Sequence, residues 1–184
     1  MAKTVVGVFD DFTAALNMTP GLINEGFPKE AISVVAPDTS AEAKRYFDTP
    51  SATRADTESD VGTGAAIGGL GGLLLGAAAL TIPGLGLLYA VGPLAALITG
   101  AMTGALTGSL VGALHGVGIP EHQAASYEAG IREGHSHVFV HTDAANAERA
   151  AELMREHHAL RVDIHDVTEP LPYDSTHESR ASAV

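Results

Sequence analysis

Residues 61–120 read VGTGAAIGGLGGLLLGAAALTIPGLGLLYAVGPLAALITGAMTGALTGSLVGALHGVGIP, sixty consecutive positions without an Asp, Glu, Lys or Arg. Sixteen of the chain's 21 glycines lie in this block. Gly64, Gly68, Gly72 and Gly76 stand four apart in its first half, and Gly100, Gly104, Gly108, Gly112 and Gly116 repeat the spacing in its second. Residues four apart share one side of an α-helix. The spacing therefore predicts one helix over 62–81 and another over 93–117, joined by an apolar turn at Ile82-Pro83-Gly84 and Gly92-Pro93. At 1.5 Å per residue each spans roughly 30 Å or more.

Glycine costs about 1 kcal/mol relative to alanine inside a helix, so nine at one spacing need a compensating contact. Close approach of helix backbones, as in GxxxG pairs, is such a contact, and ridges of period four favour an oblique crossing. The nine glycines are accordingly the candidate oligomerisation residues. Ile98, Met102, Leu106, Leu110 and Leu114 form a ridge beside the second groove, and Thr99, Thr103 and Thr107 a mildly polar strip. Flexible linkers mix glycine with serine and polar residues rather than leucine and isoleucine, which disfavours a linker. Gly62-Thr63-Gly64 follows no strand and has no ribose-binding acid at the right distance, which disfavours a dinucleotide fingerprint.

All 32 charged residues of the 184-residue chain fall in the other 124 positions, the density of an ordinary soluble domain. Thr4–Phe9 is a β-branched run that predicts a strand, and Asp10-Asp11 cap a helix over 11–26 that Gly26-Phe27-Pro28 ends. Pro20 predicts a kink or break near Asn17–Pro20. Ala31–Ala36 is a second strand. After the block, Pro120 opens a helix through Glu133, closed by Gly134. His135–His141 alternates as a third strand, Asp143–Leu160 is an amphipathic helix, and Arg161–Val167 a last strand. The fold class expected is α+β: a ferredoxin-like split βαβ head, with a four-stranded antiparallel sheet and helices on one face, carrying a long inserted glycine-rich α-helical hairpin. Residues 1–40 and 119–168 form that head, 41–60 an acidic linker, 61–118 the hairpin and 169–184 a flexible tail. A sheet face left bare in so small a head predicts coverage by a second subunit.

Composition narrows the function. With 22 acids against 10 bases the net charge is −12, which argues against nucleic acid as a partner. No cysteine is present, which removes disulfides, thiol catalysis and thiolate metal sites. The opening MAKTVVGVFDD lacks the pattern of a secretory signal, so the expected location is cytoplasmic or at the cytoplasmic membrane. Each half of the central block is long enough for a bilayer crossing. Its flanks, Asp56, Glu58, Asp60 and Glu121, carry no Lys or Arg beside either end, a poor fit to the positive-inside signal. Burial of hairpins against one another satisfies the same groups without lipid; membrane lipid is the second expected partner.

Gly118-Ile119-Pro120-Glu121-His122, then Tyr127-Glu128-Ala129-Gly130-Ile131-Arg132, then a short valine-rich strand resemble the bacterial heat-induced or general-stress-protein domain family. Gly26-Phe27-Pro28, Ile32-Ser33-Val34-Val35-Ala36-Pro37-Asp38, Ile82-Pro83-Gly84-Leu85-Gly86 and Gly92-Pro93-Leu94 extend the resemblance over most of residues 4–167. Pro20 and the histidine-rich third strand depart from it. The resemblance implies stress association and a membrane link, and supplies no catalytic residue.

His135, His137 and His141 fall at even spacing on one side of the third strand, and His165 on the last strand approaches them. An H-x-H pair on a strand can ligate a transition metal through imidazole nitrogens, so these four are the candidate metal ligands. The plainer reading is a polar or dimer-facing surface. Titration near pH 6.5 then predicts an interface that responds to mild acid. His115 is expected as a hydrogen-bonded packing residue and His157-His158 as favourable charges at a helix C-terminus. No serine sits in a nucleophile-elbow setting, and Glu42, Asp56, Glu58 and Asp60 read as solvated linker. The expected function is non-enzymatic: a stress-associated protein without a cofactor that self-assembles through its glycine hairpins. The alternatives are a module binding a metal or small ligand on the histidine face, and a membrane-inserting or pore-like hairpin.

Overall fold

Alternation along the third flank strand sets the layers. In the computed structural model, which describes residues 1–37, 41–48, 78–82, 85–95, 98, 110–116 and 118–167, that strand, β5, spans Ser136–Asp143. Val138 and Val140 enter one apolar core, while Phe139 enters another on the opposite face. The other flank strands are β1 (Ala2–Phe9), β2 (Ile32–Pro37) and β6 (Arg161–Asp166). They pair antiparallel in the spatial order β2-β5-β1-β6.

The sheet is larger than expected. Ala78–Ile82 forms β3 and Gly86–Val91 forms β4, extending the order to β3-β4-β2-β5-β1-β6, six strands rather than four. Val34 of β2 lies opposite Val91, and Leu80 of β3 opposite Leu88. Of the helix expected over 62–81, residues 62–77 lie outside the described residues and the end is a strand at 78–82; the apolar turn contains a strand of its own. The reason is local. Gly86–Val91 is a continuous apolar run bounded by Gly84 and Gly92, the pattern of a strand buried on both faces.

Helices close both faces. On one side, α1 (Phe12–Asn24) and α5 (Ala147–Glu156) cover Val5, Val34, Val138 and Val140. α2, Ala41–Asp48, occupies part of the stretch expected to be linker, and its Ala43 joins the same core. On the other side, α3 (Leu110–Gly116) and α4 (Glu121–Arg132) cover Val6, Val8, Val35 and Phe139. That second core also takes Leu88, Ala90, Leu94, Ala95, Ile98, Leu110, Ala113 and Leu114, all from the charge-free block. The expectation of helices on one face is overturned: the chain covers its own second face, and the argument for a dimer from a bare sheet falls with it.

Local chemistry fixes the element ends. Asp11 caps α1, its Oδ1 accepting from Ala14 N–H at 2.7 Å. α1 runs through Pro20 without the expected break; Thr19 Oγ1 donates back to Ala15 O at 3.3 Å one position earlier. The helix ends where Phe27 N–H reaches Leu22 O and Gly26 N–H reaches Ile23 O, both at 3.0 Å, with Gly26 at φ +93°; Leu22 and Phe27 meet in the core. The same bond pair closes α3 before Ile119, α4 before His135 and α5 before Ala159. At Gly92, φ +91°, a Cβ would lie 2.2 Å from Ile32 O. Ser33 Oγ there accepts from Leu94 N–H at 3.1 Å, anchoring the start of the helical residues 93–95 to β2.

Candidate functional site

Period two on β6 and β5 places polar side chains on the face under α4. The register aligns three rows across β6, β1 and β5: Arg161, Val8 and His137; Asp163, Val6 and Phe139; His165, Thr4 and His141. Tyr127 of α4 comes down onto these rows, fully buried. Its Oη lies 2.8 Å from Asp163 Oδ2 and 2.7 Å from His165 Nε2.

Proton accounting fixes the roles. A carboxylate only accepts, so the single Tyr127 proton goes to Asp163, and His165 Nε2–H donates to the phenol oxygen. Asp163 Oδ2 also receives Arg161 Nε at 2.7 Å. The Arg161 guanidinium carbon stands 4.9 Å from the Tyr127 ring centroid, and Arg161 Nη1 donates to Ser126 Oγ at 3.2 Å. Burial, then the bond to Asp163, raises the Tyr127 pKa well above its ordinary value, against the opposing pull of Arg161. The phenol therefore stays protonated near neutral pH and is a poor base or nucleophile. The arrangement is a clasp that fixes α4 to the edge of the sheet.

His137 lies beside the clasp, 1% exposed. Its ring meets Tyr127 edge-on with centroids 5.5 Å apart and stacks on Phe139 at 6.3 Å. Burial first, then the charges of His135 and Arg161, push its pKa down to about 3. Burial alone takes His141 down to about 4. His141 Nδ1 sits 2.9 Å from Thr4 Oγ1. His137 Nδ1 and His141 Nε2 are buried and find no hydrogen-bond partner among the described residues. His165 is lowered as well, by burial first and by Arg161 and His122, with Asp163 opposing.

The motif residues acquire physical reasons here. Tyr127 is the clasp. Glu128 and Arg132 form an (i, i+4) ion pair at 2.6 Å, and Ile131 is buried in the second core. Gly130 is a notch: a Cβ there would come within 3.2 Å of His137 Cε1. Gly118 lets the chain pass Val167, whose Cα would stand 2.8 Å from an added Cβ. Ile119 enters the core, Pro120 is the N-cap, and Glu121 lies in the first turn of α4, where a negative charge is favoured.

Of the four candidate metal ligands, His137, His141 and His165 share the α4 face, while His135 precedes β5. Among the described residues no three His, Asp, Glu or Cys side chains gather as a metal site. His115, expected to pack, is exposed. Gly64, Gly68, Gly72, Gly76, Gly100, Gly104 and Gly108 lie outside the described residues; Gly112 and Gly116 are on α3. Sequence reading passed over Tyr127, Arg161 and Asp163 as a unit. The signal was Arg-x-Asp-x-His on the last strand, polar at period two on the side that meets a helix. Comparisons with protein-family models, with curated proteins and with solved structures each find no match.

Proposed function

We propose that this chain is a non-enzymatic, stress-associated protein that self-assembles through its charge-free central block. In this reading its head is a ferredoxin-like split βαβ unit widened by β3 and β4. The strand order β2-β5-β1-β6, antiparallel throughout, supports that description of the head. The stress association rests on the resemblance carried by Gly118–Arg132.

The observation that carries self-assembly is the run of nine glycines at period four in a sixty-residue block without charge. Leu110, Ala113 and Leu114 are buried in the chain's own second core. At 100° per residue Gly112 falls on the opposite side, and it is half-buried. Leu110 and Leu114 of the leucine ridge thus belong to the head, and in this reading the period-four glycines, of which Gly100, Gly104 and Gly108 lie outside the described residues, serve contact between copies. The clasp supports the non-enzymatic part, since a protonated Tyr127 tied to Asp163 and His165 holds structure rather than performing proton transfer. Among the described residues no helix is long and apolar enough to cross a membrane.

Mass photometry without detergent tests the reading. Wild-type protein is expected as a multi-copy particle, and Gly104→Leu/Gly108→Leu as a smaller one with an unchanged near-UV circular dichroism spectrum. A double variant of wild-type particle mass refutes groove packing, and a single-copy wild type refutes self-assembly.

A further inference from the structure

The two edges of the sheet are unlike. β6 carries Arg161, Asp163 and Asp166, and Lys3 of β1 is ion-paired to Asp166. Charge on an edge strand is a usual guard against strand addition. β3, Ala78-Ala79-Leu80-Thr81-Ile82, has no charge and no proline, and among the described residues it pairs with β4 alone. Ala79 and Thr81 are exposed although their partners across the pair, Tyr89 and Leu87, pack in or against the first core.

From this edge we infer that β3 pairs antiparallel with β3 of a second copy, joining two sheets into one; the inference rests on the self-assembly proposed above. A second copy is favoured because the charge-free block to which association is assigned flanks β3 on both sides. A copy held by that block raises the effective concentration of one β3 beside another. The sequence is compatible with its own copy. A two-fold axis requires one residue to face itself, and only an axis at Leu80 pairs all five positions. Leu80 then meets Leu80, Ala79 meets Thr81, and Ala78 meets Ile82, with no like charges opposed. A one-residue slip would exchange the faces of the incoming strand.

The absence of cysteine makes single cysteines clean reporters. Leu80→Cys, in protein of wild-type particle mass, is expected to give a disulfide dimer with copper phenanthroline, or a bridged dimer with a short bis-maleimide. The rate should exceed that of Asp166→Cys on the opposite edge by about tenfold, the effect of enforced proximity. Since Leu80→Cys can disturb folding, Ala79→Cys and Thr81→Cys at exposed positions form the second test. Mixed, they cross-link with each other; alone, neither does so faster than Asp166→Cys. Assembled protein in which none of these pairs forms faster than Asp166→Cys overturns strand pairing and leaves self-assembly standing. A single-copy wild type overturns both.

Discussion

Mild acid acts on the buried histidines, and the sign follows from their pKa values. His137 and His141 are held at about 3 and about 4 in the native state, against about 6.5 in an unfolded chain. Above pH 6.5 both states carry neutral imidazoles and the groups contribute no pH dependence. Below it the unfolded chain binds protons that the native state refuses, so stability falls as pH falls, until the folded values are reached. Between about pH 7.5 and about pH 5, the shift of His137 corresponds to a loss of about 2 kcal/mol, and the two histidines together to about 4 kcal/mol. That is a large part of the 5–15 kcal/mol typical of a domain. His165 adds to the loss in the same direction. Glu25 and Asp166, held low by Arg149 and Lys3, lose their contributions further to acid and do not blur this window.

Urea unfolding followed by far-UV circular dichroism at about pH 7.5, 6 and 5 measures the effect. His137→Leu should remove about 2 kcal/mol of the acid-induced loss, since the imidazole that titrates only when unfolded is gone. An equal slope in wild type and His137→Leu would refute the claim that burial keeps this histidine neutral. Acid was expected to act on an interface; with His137 packed between Tyr127 and Phe139, it acts on the stability of the head itself.

Tyr127→Phe keeps the ring and removes both clasp hydrogen bonds, leaving Asp163 and His165 without the phenol; thermal unfolding should show a loss of about 1–3 kcal/mol. Gly92→Ala puts a methyl group 2.2 Å from Ile32 O at a positive φ, and should cost more than about 3 kcal/mol by urea unfolding or prevent folding. Asp11→Ala removes the N-cap of α1 and should cost about 1 kcal/mol in the same assay. Gly130→Ala gains helix propensity of up to about 1 kcal/mol but presses on His137. That ring is wedged between two aromatic rings, so net destabilisation is expected, relieved when Gly130→Ala is combined with His137→Ala.

The flanks were legible because their signals are local. Valine alternation gave β5, Gly26-Phe27-Pro28 gave the end of α1, and Asp11 gave its start. Pro20 predicts a kink or break, and the break does not occur: α1 continues through it, with Phe12, Ala15, Leu16, Met18, Thr19 and Leu22 buried along its inner side. The central block misled more, because one strong periodicity hid a weaker cue. Gly64 to Gly76 reads as helix, and nothing in that spacing announces a strand at Ala78. The turn residues Pro83-Gly84 between two apolar runs did carry a hairpin signal. What no local pattern contains is the pairing of β4 with β2, some fifty residues away in sequence. The clasp was half legible, as period-two polarity on β6; its partner Tyr127 was visible only as part of a motif.

Closure of the second face changes what association can use. Val35 and Phe139 are sealed beneath α3 and α4, so a second subunit finds no open sheet face of the described head. Proposed association then falls to the block without charges, to which the edge strand β3 belongs, whereas α5 and β6 present Arg149, Arg155, Glu148, Glu152, Arg161 and Asp166 to solvent. Desolvating those ions against another subunit costs more than exposed pairs return, while glycine and alanine surfaces carry no such penalty. The charge map and the burial map therefore both favour that block as the seat of the proposed association.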